Sequence, residues 1–218
     1  MIEKLRSAIN KLLENTRPTP VDPTKFTDPV ATHTEWSALK PGGTNFCTHR
    51  LRNPTPYTYE FRATLLAIIF YSLFLAFGSF MLVIGTNKIM GRPDSVKIQK
   101  ENAEWMLAGV GLAIAIFAGR MLYNGTAPIV FDRRSGIFCK GRNARAGKGR
   151  ILIDQIHAIQ LISEHCSGKN RGYYSYELNL VLRDGTRIQV IDHGSLELML
   201  TDSKKLSGFL GVPVWNAI

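Results

Sequence analysis

The sequence predicts a membrane α+β protein: a two-helix transmembrane hairpin attached to a small antiparallel β domain that a C-terminal helix closes. Three observations carry this. Ala63 to Gly85 is a run of 23 residues without a charge, and a helix of that length spans roughly 34 Å, enough to cross a bilayer core. Trp105 to Tyr123 repeats the pattern over 19 residues with one charge, Arg120, near its end. After Tyr123 the apolar pattern changes from helical to alternating, the mark of half-buried strands.

In chain order, Ile2, Leu5, Ile9, Leu12 and Leu13 recur at helical spacing among charges. They predict a short amphipathic helix, lying in a headgroup layer or docked on protein. Residues 16–60 hold seven of the ten prolines. Proline fixes φ and removes a backbone donor, so this stretch is expected to be extended. Phe26, Trp36, Phe46, Tyr57 and Tyr59 recur along it, and rings of that kind anchor a segment to a folded domain or a partner. Residues 1–60 are accordingly expected to form a cytoplasmic N-terminal segment, 61–123 the hairpin and 124–218 the β domain. Sixty mostly polar residues precede the first run, which does not read as a signal peptide.

Tyr57, Tyr59 and Phe61 before the first span, and Trp105 and Tyr123 around the second, are placed where rings sit at headgroup level. Arg120 can snorkel to the interface. Ala108, Gly111, Ala115 and Gly119, with Ala118 beside them, form a small-residue stripe that lets another backbone approach. The first span, through Ser72, Ala76 or Gly78, is its nearest partner; a second copy of the chain is the competing one.

In the last 95 residues, Pro128–Asp132 and Ile137–Lys140 read as a hairpin around a turn at Arg133–Gly136. Ile151 to Ile162 suggests one or two strands. Tyr176–Leu182 alternates, and Asp184-Gly185 turns the chain into Arg187–Ile191. A helix is expected from Asp202 or Ser203 to Leu210, capped by Asp202, stopped by Gly211 and followed by Pro213.

Lys and Arg fix the expected orientation. Arg50, Arg52 and Arg62 precede the first span and seven basic residues between Arg133 and Arg150 follow the second, whereas the 86–104 connection is nearly neutral. Both termini are therefore expected on the cytoplasmic side. Cys47, Cys139 and Cys166 all fall on that reducing side, with no CxxC spacing and no disulfide framework.

Five or six antiparallel strands followed by one helix resemble the pleckstrin-homology-like domains of bacterial membrane proteins that place a helical hairpin before a small barrel. The likeness covers residues 124–218 and rests on element order. The strings FDRRSGIF, YELNLVLRDGTRI and FLGVPVW look like those of uncharacterised bacterial integral membrane proteins. The resemblance implies a bacterial inner membrane and no established activity. Phosphoinositide binding, common in pleckstrin-homology domains, is not carried over because no such motif is matched.

Lys140, Arg142, Arg145, Lys148 and Arg150 lie within eleven residues that include three glycines and no acid. They could hold anionic lipid headgroups, or could be a solvated loop that sets topology. A phosphate loop is excluded: Gly141 to Gly147 encloses five residues, and Gly149 follows Lys148 where a hydroxyl is needed. Lys169, Arg171 and Tyr173 form a second polar turn opening onto rings, suited to a protein or headgroup contact. His165-Cys166 lacks two further zinc ligands. Asp192, His193 and Ser195 are triad types without a nucleophile elbow. No metal, cofactor or nucleic-acid partner is expected. The sequence therefore favours a non-enzymatic inner-membrane accessory or scaffold protein that presents its cytoplasmic domain to a partner protein or a second copy. An anionic-lipid sensor using residues 140–150 is the alternative. An oligomeric channel or transporter subunit is disfavoured, since neither span carries a mid-membrane charge.

Overall fold

A computed structural model of the chain describes residues 21–91, 101–142, 149–167 and 172–218. The amphipathic helix expected over residues 2–13, and Arg145, Lys148, Lys169 and Arg171, lie outside the described residues. The chain divides into two compact units, one built from residues up to Arg62 together with 128–218, the other from 63–127.

The N-terminal prolines start helices instead of preventing them. Asp22 Oδ1 accepts from the Thr24 amide at 3.0 Å and caps a 3-10 turn, Pro23–Phe26. Asp28 Oδ1 accepts from the Val30 amide at 2.9 Å and caps helix α1 (Pro29–His33). In both, proline occupies the first turn, where its missing N–H costs nothing. The expectation of an extended segment is corrected there. Phe26 stacks on Trp36 with centroids 4.9 Å apart and planes at 5°, and both rings lie 6.0 Å from Trp215. With Ala31, Ala158 and Val181 they make a second small core. The aromatics thus fasten the segment to its own domain.

Two sheets follow. The first runs in the order β1 (His49–Thr55), β2 (Thr58–Ala63), β3 (Ile129–Asp132), β4 (Ile137–Lys140), β5 (Arg150–Leu152). The second is ordered β8 (Arg187–His193), β7 (Tyr173–Leu182), β6 (Ile156–Cys166), β9 (Val214–Ala217), with β9 parallel to β6. Helix α4 (Leu196–Leu210) packs with them. The main core gathers Phe61, Phe131 and Phe138 from the first sheet, Leu161, Leu178 and Leu180 from the second, and Met199 and Leu206 from α4.

Several expectations change here. The β domain is not confined to 124–218: β1 and β2 come from before the spans, and β2 pairs with β3 through Phe61 and Ile129. Phe61 is 1% exposed, and Tyr59 lies 4.4 Å from Phe209, so these rings fill a core and do not mark a headgroup level. Helix α4 begins six residues before Asp202, because Leu196, Leu198 and Met199 supply its first apolar turns. The Asp202 carboxylate instead accepts from the Leu51 amide at 3.2 Å, satisfying a donor on edge strand β1. Gly211 ends the helix with φ 74°, its N–H bonded to Ser207 O at 2.7 Å. β9 then follows the helix.

The second unit is a helical hairpin: α2 (Leu65–Met90) and α3 (Glu101–Gly125). Thr64 Oγ1 caps α2 by accepting from the Ala67 amide at 3.2 Å. Both helices are long and apolar enough to cross a membrane, and in their most apolar stretches only 11% and 17% of residues are buried. A core helix of a soluble domain would be covered on most sides. The two helices meet through small residues. A Cβ on Gly78 would lie 2.6 Å from the Ala115 amide, one on Gly111 would lie 2.5 Å from that of Leu82, and one on Gly85 would lie 2.6 Å from that of Ala108. Gly119 sits looser, 3.7 Å from Leu75 Cδ1.

Candidate functional site

Strand β7 separates two environments. Leu178 and Leu180 point into the main core. By the pleat, Ser175, Glu177 and Asn179 point to the other face, which the segment 35–48 covers. Glu177, 4% exposed, accepts the Leu39 amide on Oε1 at 2.9 Å and the Lys40 amide on Oε2 at 3.0 Å. Asn179 Nδ2 donates to Glu177 Oε1 at 2.7 Å. Both oxygens of Glu164 accept from the Gly42 amide at 3.1 Å. Gln160 Nε2 donates to Glu35 O at 2.9 Å, Arg187 Nη1 to Ser37 O at 2.7 Å, and Thr48 Oγ1 to Asp192 O at 2.8 Å. A side chain at Gly43 would overlap Ser175 Oγ. The sheet thus grips the segment mostly by its backbone.

Asp192 stands opposite Glu177 in the β7–β8 register, an unfavourable cross-strand pairing of acids. Burial, then Glu177, push the Asp192 carboxyl above its usual range. Lys140 answers this pair. Its Nζ donates to Gln189 O at 2.7 Å, and burial followed by Lys40 brings its pKa down to about 8 against the pull of Asp192 and Glu177. Acid, amide and amine side by side could in principle move protons, but here both Glu177 oxygens are occupied by backbone amides. The cluster acts as a fastening.

The sequence-predicted residues fall in different places. Lys140 is half-buried and turned onto β8, whereas Arg142 and Arg150 are exposed. Tyr173 is likewise turned inward: its hydroxyl donates to Gly43 O at 2.7 Å, which ties down the covering segment. Ala108, Gly111 and Ala115 meet α2, as described above. His193 is fully buried and its Nδ1 accepts the Ser195 amide at 3.2 Å, so the ring meets the Ser195 backbone and not a nucleophilic hydroxyl. Burial, then His49, hold its pKa down to about 4. Among the described residues no three His, Cys, Asp or Glu groups are placed to hold a metal ion.

Pattern reading missed Glu177, Asn179 and Gln160 as buried groups. Polar residues alternating with Leu178 and Leu180 carry the signature of a solvent face, and nothing local shows that a distant segment covers it.

A groove of about 460 Å³ lies where the β3–β4 turn, the end of β5 and the start of β6 meet the C-terminus of α4. Arg133 and Arg183 flank it; Leu152, Ile153, Asp154 and Val212 line it. Its place on the sheet follows from register. Ile129 pairs with Phe61 and Lys140 at the end where β2 and β3 continue into the helices, while Asp132 pairs with Thr58 and Ile137 at the opposite end. The groove is at that opposite end, beside the Arg133–Gly136 turn.

Compared with family models, curated proteins and solved structures, the chain matches none. The geometry alone therefore has to support a function.

Proposed function

We propose that this chain is a non-enzymatic integral membrane protein of a bacterial inner membrane, whose hairpin anchors a cytoplasmic two-sheet domain serving a partner protein as accessory subunit or scaffold. The point of insertion carries the reading. The two long apolar helices interrupt the chain between β2 and β3, adjacent antiparallel strands of one sheet. An insertion there leaves the core of the domain intact, so the hairpin serves as an anchor added to a folded module. The excess of Lys and Arg on either side of the helices supports a cytoplasmic domain. Impermeant maleimide on spheroplasts tests this, using chains with Cys47, Cys139 and Cys166 changed to Ser. Lys88→Cys is expected to react and Ser135→Cys to stay unlabelled. The reverse pattern refutes the orientation, and labelling of both refutes the anchor. Purification of the full chain in mild detergent is expected to retain a stoichiometric companion or a second copy; a lone monomer refutes the scaffold.

Register supports a second reading, contact with anionic headgroups. Lys140 pairs with Ile129, which puts the start of the basic loop, with Arg142, at the sheet end that continues into the helices, and Arg150 pairs with Cys139 beside it. Basic residues near an anionic leaflet gain about 1 kcal/mol each. Lys140 itself is committed to Gln189.

A further inference from the structure

We infer that the groove beside the Arg133–Gly136 turn docks an acidic peptide segment of a partner protein, seating an apolar side chain on Leu152 and Val212 and a carboxylate between Arg133 and Arg183. This rests on the reading of the chain as a membrane-held module for a protein partner, and it names the surface and the chemistry of that partner.

Shape is the first argument. About 460 Å³ of open groove holds a few side chains, on the scale of sites that recognise small ligands or short peptides. Its lining mixes apolar Leu152, Ile153 and Val212 with polar groups, and Leu152 stays 50% exposed in it. Charge is the second. Arg183 Nε donates to Asp154 O at 2.8 Å, which sets the guanidinium at the rim. Arg133 lies 5.4 Å from the Phe209 ring centroid. Among the described residues neither guanidinium has a carboxylate partner, and Asp154 is the one acid in the lining. Two guanidinium groups beside Leu152 and Val212 are complementary to a carboxylate next to an aliphatic or aromatic side chain. Position is the third. The groove lies at the ladder end marked by Asp132 and Ile137, three residues along β3 from Ile129, next to which the chain continues into the helices. At about 3.3 Å per residue that is roughly 10 Å further along the sheet. Register therefore sets the groove and the basic residues Lys140 and Arg142 at opposite ends of one sheet, so a charge change at Arg142 leaves the groove untouched.

The test uses the full chain in nanodiscs of neutral phosphatidylcholine and a phage-displayed library of random 12-residue peptides. Enriched peptides are expected to carry Asp or Glu beside Leu, Ile or Phe. Their affinity, by fluorescence polarisation, is expected to fall at least tenfold in Arg183→Glu and in Leu152→Glu, severalfold in Arg183→Gln, and to change less than twofold in Arg142→Glu at the other sheet end. No enrichment, or enriched peptides indifferent to Arg183 and Leu152, overturns the proposal. So does displacement of the peptides by soluble short-chain phosphatidylglycerol, which would assign the groove to lipid. Maleimide labelling at positions 88 and 135 reports on the anchor separately. Lost peptide binding with the expected labelling therefore sinks the groove alone, and the converse sinks the anchor alone.

Discussion

Removing the Glu177 side chain should release the segment that covers the second sheet. In Glu177→Ala the Leu39 and Lys40 amides lose carboxylate bonds of 2.9 and 3.0 Å. Hydrogen bonds to a charged group contribute about 1.5–3 kcal/mol each, so the gross loss is roughly 3–6 kcal/mol. Part of this returns. Asp192 faces Glu177 across the β7–β8 pair and is held above its ordinary pKa partly by it. Removing one of two facing acids relieves that repulsion by up to about 1 kcal/mol. A net loss of about 3 kcal/mol is a factor of roughly 100 in the opening equilibrium of the segment. Hydrogen exchange on peptides spanning residues 37–42, measured on the full chain in detergent, reads this directly. Protection of Leu39 and Lys40 should fall about a hundredfold, with Glu177→Gln, which keeps one acceptor, in between. Protection within threefold of the wild type in Glu177→Ala would refute the fastening role and reopen Glu177, Asp192 and Lys140 as a site for chemistry.

Three further outcomes are expected. Gly111→Leu puts a side chain against the Leu82 backbone, which cannot yield, whereas nothing lies within 4 Å of a Cβ at Gly109. The first should therefore lower the melting temperature of the hairpin in detergent by several degrees, and Gly109→Leu should not; equal effects would mean the helices do not meet here. His193 should destabilise the domain in acid. Its folded pKa of about 4 lies below the ordinary histidine value of 6.5, so between those values the unfolded chain binds more protons and stability falls as pH falls through 6.5 toward 4. The full difference is about 3 kcal/mol. His193→Gln should flatten that part of the urea stability profile, and an unchanged acid slope would refute the assignment. Trp36→Ala removes the Phe26 stack and a 3.1 Å bond to Ala31 O, and, the ring being partly buried, should cost about 2–3 kcal/mol, below the range of a fully buried ring. The check is earlier urea unfolding followed by Trp215 fluorescence in chains that also carry Trp105→Phe; a midpoint equal to that of Trp105→Phe alone would show that the second core holds without it.

The hairpin was legible because its signals are local. A charge-free run reports on its own surroundings, and small residues every four positions on α3 mark the face that meets Gly78 and Gly85. Strands β3, β4, β7 and β8 were legible for the same reason, through alternation and the turns at Arg133–Gly136 and Asp184-Gly185. β2 was not. Tyr59 and Phe61 precede a span, and a ring in that position serves a membrane interface or a core equally well until its partners, Phe209 and Phe131, are known. Lys140 shows the same limit: a lysine among arginines looks solvated, yet its amine reaches β8, 49 residues further along the chain.

By itself, then, the sequence determined that two helices can cross a membrane, that a β-rich region follows them and that Gly211 stops the last helix. Each depends on residues within a turn or a strand of one another. The tertiary structure decided that strands from before the hairpin complete the domain, that a polar face of β7 is interior, and that the groove between Arg133 and Arg183 exists. Those facts depend on groups distant in sequence, such as Glu177 and the Leu39 amide, 138 residues apart. No local pattern encodes such pairs, because a polar side chain is written the same way whether water or a distant backbone satisfies it.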